Sequence, residues 1–357
     1  MEKLQQLPNI AQLTGRVCRV LGQNPGKFTL QGTNTYLIGE QAPFILLDTG
    51  EGRQSYLPVL EDALRTNARL EPDNKQNVSS FSDVIITHHH HDHYGGLRDV
   101  LELSRKLWEE RRPSNTSDTS YAPPRIHKFI AANHTPETTV VSKREENEEG
   151  FRDILSSLPD GTYSTPQNSP DLIVHELLVN QTLRTEDGSS TISIIHTPGH
   201  TPDSIALFLH EDRILFTADS VLGHGTAVFE DLAAYLASLH KLLEMRDKVG
   251  WAFQKVYPAH GPVVEDGPAL IQKYIDHRLE REGQIMDLLH KTPTSFDSDS
   301  WSIEQLVSVI YKDYPESLWI PAAHSVELHL RKLQSEEKVK FINGEGMQSR
   351  WLLCSKL

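Results

Sequence analysis

The sequence predicts an α/β protein made of two parts, a strand-rich part over residues 1–266 and a helical, winged-helix-like part over residues 267–357. Short runs of β-branched and aromatic residues, separated by turn residues, recur through the first part, with segments of helical period between them. From about Gly267 the pattern becomes mainly helical. The chain has 357 residues, of which 38% are hydrophobic, so a sizeable core can form without disulfide bonds.

The first half alternates predicted strands with two helices. Strands are predicted at Arg16–Leu21, Thr35–Ile38, Phe44–Asp48, Asp83–Thr87 and Ile126–Ala131. Tyr56–Thr66 has the period of a helix, and a second helix is expected to start near Gly95–Gly96. Ser104–Pro124, rich in Ser, Asn, Pro and charge, indicates the end of that helix followed by an exposed loop, and Gly161–Pro170 indicates a second such loop.

The second half continues with strands and then changes character. Strands are predicted at Leu172–Leu178, Thr191–Thr197, Ser204–His210, Arg213–Ala218 and Lys255–Tyr257, with helices at Leu232–Arg246 and Pro268–Leu289. After a polar linker at Thr292–Ser300 come helices at Ile303–Lys312 and Ala322–Ser335 and short strands at Val339–Ile342 and Arg350–Leu353. Two helices followed by two short strands indicate a winged helix, which we place in a second domain of residues 267–357.

Composition excludes several classes of protein. Lys plus Arg number 35 against 49 Asp plus Glu, a formal charge of −14, so no global field attracts nucleic acid or an anionic membrane. The only cysteines, Cys18 and Cys354, lie near opposite ends, so any metal must be held by His and carboxylates. No 18-residue apolar run, signal peptide or transit peptide is recognisable, and we expect a cytoplasmic rather than a mitochondrial protein without a membrane partner.

The strongest motif is a run of four histidines that follows the predicted strand Asp83–Thr87. Residues two apart at the end of a strand point the same way, so His88 and His90 can share one metal ion while His89 and His91 face elsewhere. The alternative is an exposed polyhistidine loop. That alternative is disfavoured because the run lies between a buried-type strand and a glycine turn, where functional sites are commonly built.

An acid and an imidazole, Asp92 and His93, come next in the turn that enters the following helix. This adjacent pair can reach a second ion a few ångströms from the first, a spacing suited to two-metal hydrolysis. Three further candidates, His200, Asp219 and His260, each follow a predicted strand. With the histidine run they make seven ligands, enough for two sites of three protein ligands and a shared carboxylate.

Four segments occur in the order THHHHDHYGG, HTPGHTPDS, FTADSVLGHG and YPAHGP, and in this the chain resembles the metallo-β-lactamase superfamily. The resemblance implies an αβ/βα sandwich with a binuclear zinc site at one edge. The resemblance also implies the ligands: the first zinc ion is held by His88, His90 and His200, and the second by Asp92, His93 and His260. Asp219 bridges the two ions. Asp48 then matches a position that orients ligands rather than binding metal.

Further segments resemble the lactamase-β-2-like branch of that superfamily, namely LGQNPGKFTLQGTNTYLIG, LDTGEG, LGHGTAVFEDL, YPAHGPVVEDG and YIDHRLEREGQI. This branch carries a C-terminal winged-helix-like tail, so the resemblance covers nearly the whole chain. It departs mainly around Arg111–Pro124 and Asp160–Pro170, which would be surface additions. We expect the tail to pack on the catalytic domain, to wall the pocket or to mediate self-association rather than to read DNA; its second helix offers only Arg331 and Lys332 as cations.

The resemblance implies a zinc-dependent hydrolase with two Zn²⁺ per chain and a metal-bound hydroxide as nucleophile. Asp92 is then the candidate catalytic residue that takes and returns a proton. Two substrates are implied: an acyl, polyketide-type chain on an acyl carrier protein, hydrolysed by a thioesterase, or single-stranded RNA, cleaved by an endoribonuclease. RNA binding favours clustered Lys and Arg, yet residues 266–357 hold 11 Lys plus Arg against 14 Asp plus Glu. We therefore prefer the thioesterase; the sequence does not predict the oligomeric state.

Overall fold

A computed structural model describes residues 4–67, 79–111, 121–131, 140–167, 172–248, 250–291 and 300–354. In these residues, seven strands form a first sheet in chain order. They are β1 (Ile10–Gln12), β2 (Val17–Leu21), β3 (Asn34–Ile38), β4 (Phe44–Leu47), β5 (Phe81–Ile86), β6 (Arg125–Lys128) and β7 (His175–Glu176). Strands β1 to β4 pair antiparallel, whereas β4 to β7 pair in parallel. The parallel strands are linked through α1 (Tyr56–Asn67), α2 (His91–Tyr94), α3 (Leu97–Arg111) and α4 (Val140–Ser156).

A second sheet packs against the first. Its five described strands have the spatial order β12-β11-β10-β9-β8, and the last connection runs through α5 (Leu232–Lys248). They are β8 (Thr182–Arg184), β9 (Thr191–His196), β10 (Ile205–Leu209), β11 (Ile214–Ala218) and β12 (Lys255–Pro258). Neighbours pair antiparallel except β11 and β12, which are parallel.

Alternation along the strands explains the layers. Ile45 and Ile85 of the first sheet point inward and meet Ile194 and Phe216 of the second in one buried cluster. The adjacent residues, such as Leu46, point outward and pack on α1 and α3. On the other side, the outward residues of the second sheet pack on α5 and on α6 (Gly267–Leu289). Because central strands are covered on both faces, β4 and β10 are apolar throughout, and the chain forms an αβ/βα sandwich.

The C-terminal part contains α7 (Ile303–Ile310), α8 (Trp319–Ser335) and a sheet of the order β13-β15-β14. Its strands are β13 (Trp301–Ser302), β14 (Val339–Asn343) and β15 (Arg350–Leu353). A capping box between Ser302 and Gln305 begins α7. Helix α6 belongs to both parts, since Ile271 and Tyr274 pack on the second sheet's layer while Ile285 and Leu289 pack on α7 and α8. The long helix therefore joins the winged helix to the sandwich.

Most predicted elements are present with ends shifted by one to three residues. The short strands β1, β8 and β13 were not predicted, and two larger differences occur. The strand predicted at Leu172–Leu178 is reduced to β7, because this sheet edge pairs with β6 at only two positions and Leu178 is exposed. Helix α4 was not predicted from its highly charged sequence. Residues 112–120 and 168–170 of the two predicted surface additions, and residues 292–299 of the polar linker, lie outside the described residues. No helix in the described ranges has the length and apolar character needed to cross a membrane.

A buried histidine makes the tail sensitive to acid. His329 on α8 is 0% exposed, and neither ring nitrogen has a hydrogen-bond partner among the described residues. Burial, and then the nearby cations Arg278, Arg281 and Lys332, lower the pKa of His329 to about 3. The unfolded chain takes up this proton below its usual pKa of about 6.5, whereas the folded chain does not until near pH 3. Stability contributed by the neutral imidazole is therefore lost as the pH falls between these values.

We expect His329→Leu to be less sensitive to acid than the wild type. Lowering the pH from about 7 to about 5 should cost the wild type roughly 2 kcal/mol through this side chain, and the variant should not lose that amount. The measurement is denaturant unfolding at several pH values. His324→Leu, which removes an exposed histidine of the same helix, is the matched control. Parallel stability-pH curves for His329→Leu and the wild type would contradict the assignment.

Candidate metal centre

The site lies at one edge of the sandwich, where four strands of the two sheets end. The histidine run follows β5, His200 follows β9, Asp219 follows β11 and His260 follows β12. His90 is extended, with φ −72° and ψ 138°, and the one-turn helix α2 then turns Asp92 and His93 toward the same space. The strand ends and this one-turn helix together bring the side chains to one place.

A close approach of α5 fixes the loop before His200. Gly199 has a φ of +131°, and a Cβ at this position would lie 2.3 Å from the backbone of Tyr235 on α5. Only glycine fits between the loop and the helix at that distance. The loop that carries His200 is therefore packed directly against α5.

Three imidazoles form the first ligand group. His90 Nδ1 lies 3.0 Å from His88 Nε2 and 3.0 Å from His200 Nε2, and the latter two atoms are 3.2 Å apart. Asp219 Oδ2 lies 3.5 Å from His200 Nε2 and 4.0 Å from His88 Nε2. Nitrogen atoms that converge in this way suit three ligands of one ion.

The second ligand group has one carboxylate and two imidazoles. Asp92 Oδ2 lies 3.4 Å from His93 Nε2 and 3.3 Å from His260 Nε2. Asp219 Oδ1 lies 3.6 Å and 3.2 Å from the same two nitrogens. Asp219 therefore faces each group with a different oxygen, as a bridging carboxylate would.

Hydrogen bonds to the outer ring nitrogens set the orientation of the ligands. His200 Nδ1–H donates to the Val228 carbonyl at 2.7 Å, so its Nε2 lone pair points into the site. His93 Nδ1 lies 2.8 Å from Asp48 Oδ2. Asp48 also accepts from the Thr87 amide at 2.8 Å and the Thr87 hydroxyl at 2.9 Å. This places Asp48 where the family resemblance implied, beside a ligand and outside the two groups.

Burial keeps the first group neutral. Desolvation, and then neighbouring imidazoles, hold the pKa of His88 well below its usual value and lower the pKa of His90 to about 3. Burial likewise lowers the pKa of His200, although Asp219 opposes the shift. Neutral imidazoles keep their lone pairs, so no proton need leave before an ion binds at neutral pH.

The second group is charged. Burial opposes ionisation of Asp92 and Asp219, but His93 and His260 outweigh it and hold the pKa of both carboxyls well below the usual range. The carboxylates in turn outweigh burial at the imidazoles, raising the pKa of His93 well above normal and that of His260 to about 9. A divalent cation would take over this positive charge by displacing the imidazole protons.

All seven residues predicted as ligands lie in these two groups. The other two histidines of the run lie outside these groups. His91 is exposed and its ring contacts Tyr94, whereas His89 Nδ1 lies 2.8 Å from the buried Asp203. His89, His90 and Glu230 also bring ligand-type atoms within 4.8 Å of one another, but His90 Nδ1 already belongs to the first group.

Sequence reasoning missed three polar residues that support the site. Asp203 binds His89 and also forms an ion pair with the buried Lys128. Thr33 Oγ1 donates to Asp92 Oδ2 at 3.0 Å. Thr33 and Lys128 lie on strands or loops far away in the chain, so no local pattern marks them. Asp203, in the segment HTPGHTPDS, could have been singled out.

Residues 28–114 and 117–260 match the family model described as the metallo-beta-lactamase superfamily. The chain belongs to the metallo-β-lactamase superfamily. This is a family of hydrolases that bind metal ions, and the two ligand groups fit that property. Residues 302–351 match the beta-lactamase associated winged helix domain. The predictions of the sandwich and of a winged-helix tail are confirmed.

Relatives of the chain include animal and fungal proteins. It is 35% identical to a beta-lactamase-like protein 2 homolog of Drosophila melanogaster, covering 94% of this chain and 93% of that one. It is 32% identical to an atrochrysone carboxyl ACP thioesterase of Claviceps purpurea, covering 98% and 90%. A beta-lactamase domain protein from Burkholderia ambifaria has the same fold, with a TM-score of 0.63 at 17% identity over 98% of this chain and 95% of that one. The resemblance to the lactamase-β-2-like branch is therefore confirmed.

Proposed function

We propose that the chain is a two-metal hydrolase that uses zinc, holds two ions per chain and hydrolyses acyl thioesters. The two-metal assignment rests on the position of Asp219, because each of its two oxygens faces a different group of candidate ligands. Two further atoms support it: Asp219 Oδ1 and His93 Nε2 are buried side by side, and neither has a hydrogen-bond partner among the described residues. Metal ions would satisfy both atoms. Imidazole and carboxylate ligands suit zinc.

His88, His90 and His200 would hold one ion, and Asp92, His93 and His260 the other, with Asp219 shared. When bound, zinc would lower the pKa of water and polarise the substrate carbonyl. Asp92 is the chain's own candidate for the proton. It is a carboxylate at neutral pH, its side chain is 20% exposed at the mouth of the site, and the Thr33 hydroxyl orients its Oδ2. Its carboxylate would accept the proton of the attacking water and return it to the leaving thiolate.

The proposed substrate is an acyl, polyketide-type chain on an acyl carrier protein. Support comes from fungal relatives named ACP thioesterases, which align with 98% or more of this chain at 29–32% identity. The charge of −14 supports the same choice, because binding of RNA gains from clustered cations. For the domain organisation we propose catalytic residues 1–266 and a C-terminal unit of residues 267–357, with α6 as the joint.

The test compares two classes of substrate, thioesters and RNA, at one enzyme concentration. Zinc-loaded protein and a His88→Ala control are incubated with an acyl carrier protein bearing acyl chains, with small acyl thioesters and with labelled single-stranded RNA. We expect thioester turnover that is lost in His88→Ala, with the RNA intact. RNA cleavage that the same substitution abolishes, without thioester turnover, would instead make the protein an endoribonuclease.

A further inference from the structure

The loop between β11 and α5 holds His200 from two sides. The Val228 carbonyl accepts the hydrogen bond from His200 Nδ1 at 2.7 Å. The Glu230 amide donates to the carbonyls of Gly199 at 2.8 Å and of His200 at 3.2 Å. The imidazole and the backbone of this ligand therefore depend on where residues 228–230 lie.

Helix α6 in turn holds this loop. The Tyr274 hydroxyl donates to the Gly225 carbonyl at 2.8 Å. Arg278 Nη2 donates to the Ala227 carbonyl at 3.0 Å, and its guanidinium lies 4.8 Å from the centre of the Phe229 ring. Arg278 thus contacts the residues immediately before and after Val228, which are themselves buried at 4% and 5% exposure.

Arg278 is an unusual residue for this position. It is 7% exposed, and among the described residues it forms no ion pair, while its Nε has no hydrogen-bond partner. Glu282, the carboxylate four residues along the helix, pairs instead with Lys332 at 2.7 Å. A buried charge without a counter-ion costs free energy, and an apolar side chain of similar volume would pack there without that cost. Stability of the fold therefore does not account for an arginine here.

We propose that Arg278 is a positioning residue of the metal site. Its guanidinium fixes Ala227 and Phe229, so the Val228 carbonyl between them holds His200 Nδ1–H and directs the Nε2 lone pair toward the first ligand group. Arginine suits this role because its flat guanidinium can stack on a ring while donating a hydrogen bond. The inference rests on the proposed metal site, and it makes the helix that carries the winged helix a part of that site.

The decisive variant is Arg278→Met, which keeps the apolar stem and volume but removes the donor and the charge. Zinc binding is measured by chelator competition, and the unfolding of the metal-free protein by denaturant. We expect one of the two zinc equivalents to bind about 10- to 100-fold more weakly, the range typical for loss of an outer hydrogen-bond partner. The other equivalent should change by less than about 3-fold, and the unfolding midpoint should stay the same or rise.

Arg281→Met is the matched control, because Arg281 lies on the same helix but stacks on Tyr311 and bonds to Gln284, away from the loop. Should Arg278→Met fail to fold, Arg278→Lys provides the comparison, since it keeps the charge and can donate one hydrogen bond but cannot stack in the same way.

Wild-type affinity for both equivalents in Arg278→Met would overturn the inference. So would a similar loss of both equivalents together with a lower unfolding midpoint, which would make Arg278 a support of the fold alone. If the wild type itself binds fewer than two equivalents, the proposed metal centre fails, and that result is read from the wild type before any variant is compared.

Discussion

His88→Ala should lose one of the two metal equivalents and more than about 100-fold in turnover, exceeding the usual cost of an outer partner. His88 is 0% exposed, and its Nε2 lies within 3.2 Å of both other nitrogens of the first group. The run's two remaining histidines are not placed to take over, because His89 Nδ1 lies 2.8 Å from Asp203 and the exposed His91 faces Tyr94. The measurements are metal content by elemental analysis and turnover of the preferred substrate.

His91→Ala is the natural control, since it removes a histidine of the same run and leaves both ligand groups intact. It should keep two equivalents and turnover within about 3-fold of the wild type, as expected for a surface substitution. A His88→Ala protein with full metal content and wild-type turnover would show that the histidine run is not a ligand set. Equal losses in the two variants would point to a folding defect in this segment.

The candidate ligands could be predicted because each lies at the end of a strand or in the turn that follows one. Alternation at the end of β5 separates His88 and His90 from His89, and the structure shows the same separation, with His89 turned to Asp203. Asp219 could be predicted in the same way, because it comes directly after the end of β11. What the residues alone left open was which three nitrogens converge, since that depends on how the two sheets pack.

The support of the site could not be predicted in this way. Lys128 and Asp203 are 75 residues apart and form a buried pair that neither local sequence marks. Arg278 reaches Ala227 across 51 residues, from a helix whose own pattern only predicts an amphipathic face. Helix α4 was missed because 8 of its 17 residues are charged, and most of these fall in one run that interrupts the apolar pattern. Long-range contacts of single polar side chains leave no periodic signal.

The division of the chain into residues 1–266 and 267–357 assigns α6 to the second part, although α6 packs on both parts. Its N-terminal half packs on the second sheet's layer and holds the loop beside His200, whereas its C-terminal half packs in the core of the winged helix. A substitution in the tail can therefore affect the candidate ligands through α6, which contacts both parts. The sequence suggested that the tail packs on the catalytic domain, and α6 provides that packing. Through Arg278 the arrangement also supports a role in holding the site, which the sequence did not suggest.

Asp92→Asn should lower turnover by about 10²- to 10⁴-fold at saturating zinc, the range for loss of a general acid or base. Asparagine has nearly the same shape and can still accept a hydrogen bond from Thr33, but it cannot take a proton. The deficit should be the same at every pH from about 5.5 to about 8. The reason is that positive charge faces Asp92 in both states, from His93 and His260 in the metal-free chain and from the ion once zinc is bound, so the wild-type carboxylate is ionised across that whole range.

Thr33→Val is the control, because it removes the hydroxyl that donates to Asp92 Oδ2 at 3.0 Å while leaving the carboxylate. We expect it to lower turnover by about 10- to 100-fold at most, the cost of one hydrogen bond to a charged group. Metal content separates the two roles of Asp92: a loss of zinc that excess zinc reverses, with recovery of turnover, would leave it a ligand only. A deficit that persists with both equivalents bound, and that is flat in pH, assigns the proton transfer to this carboxylate.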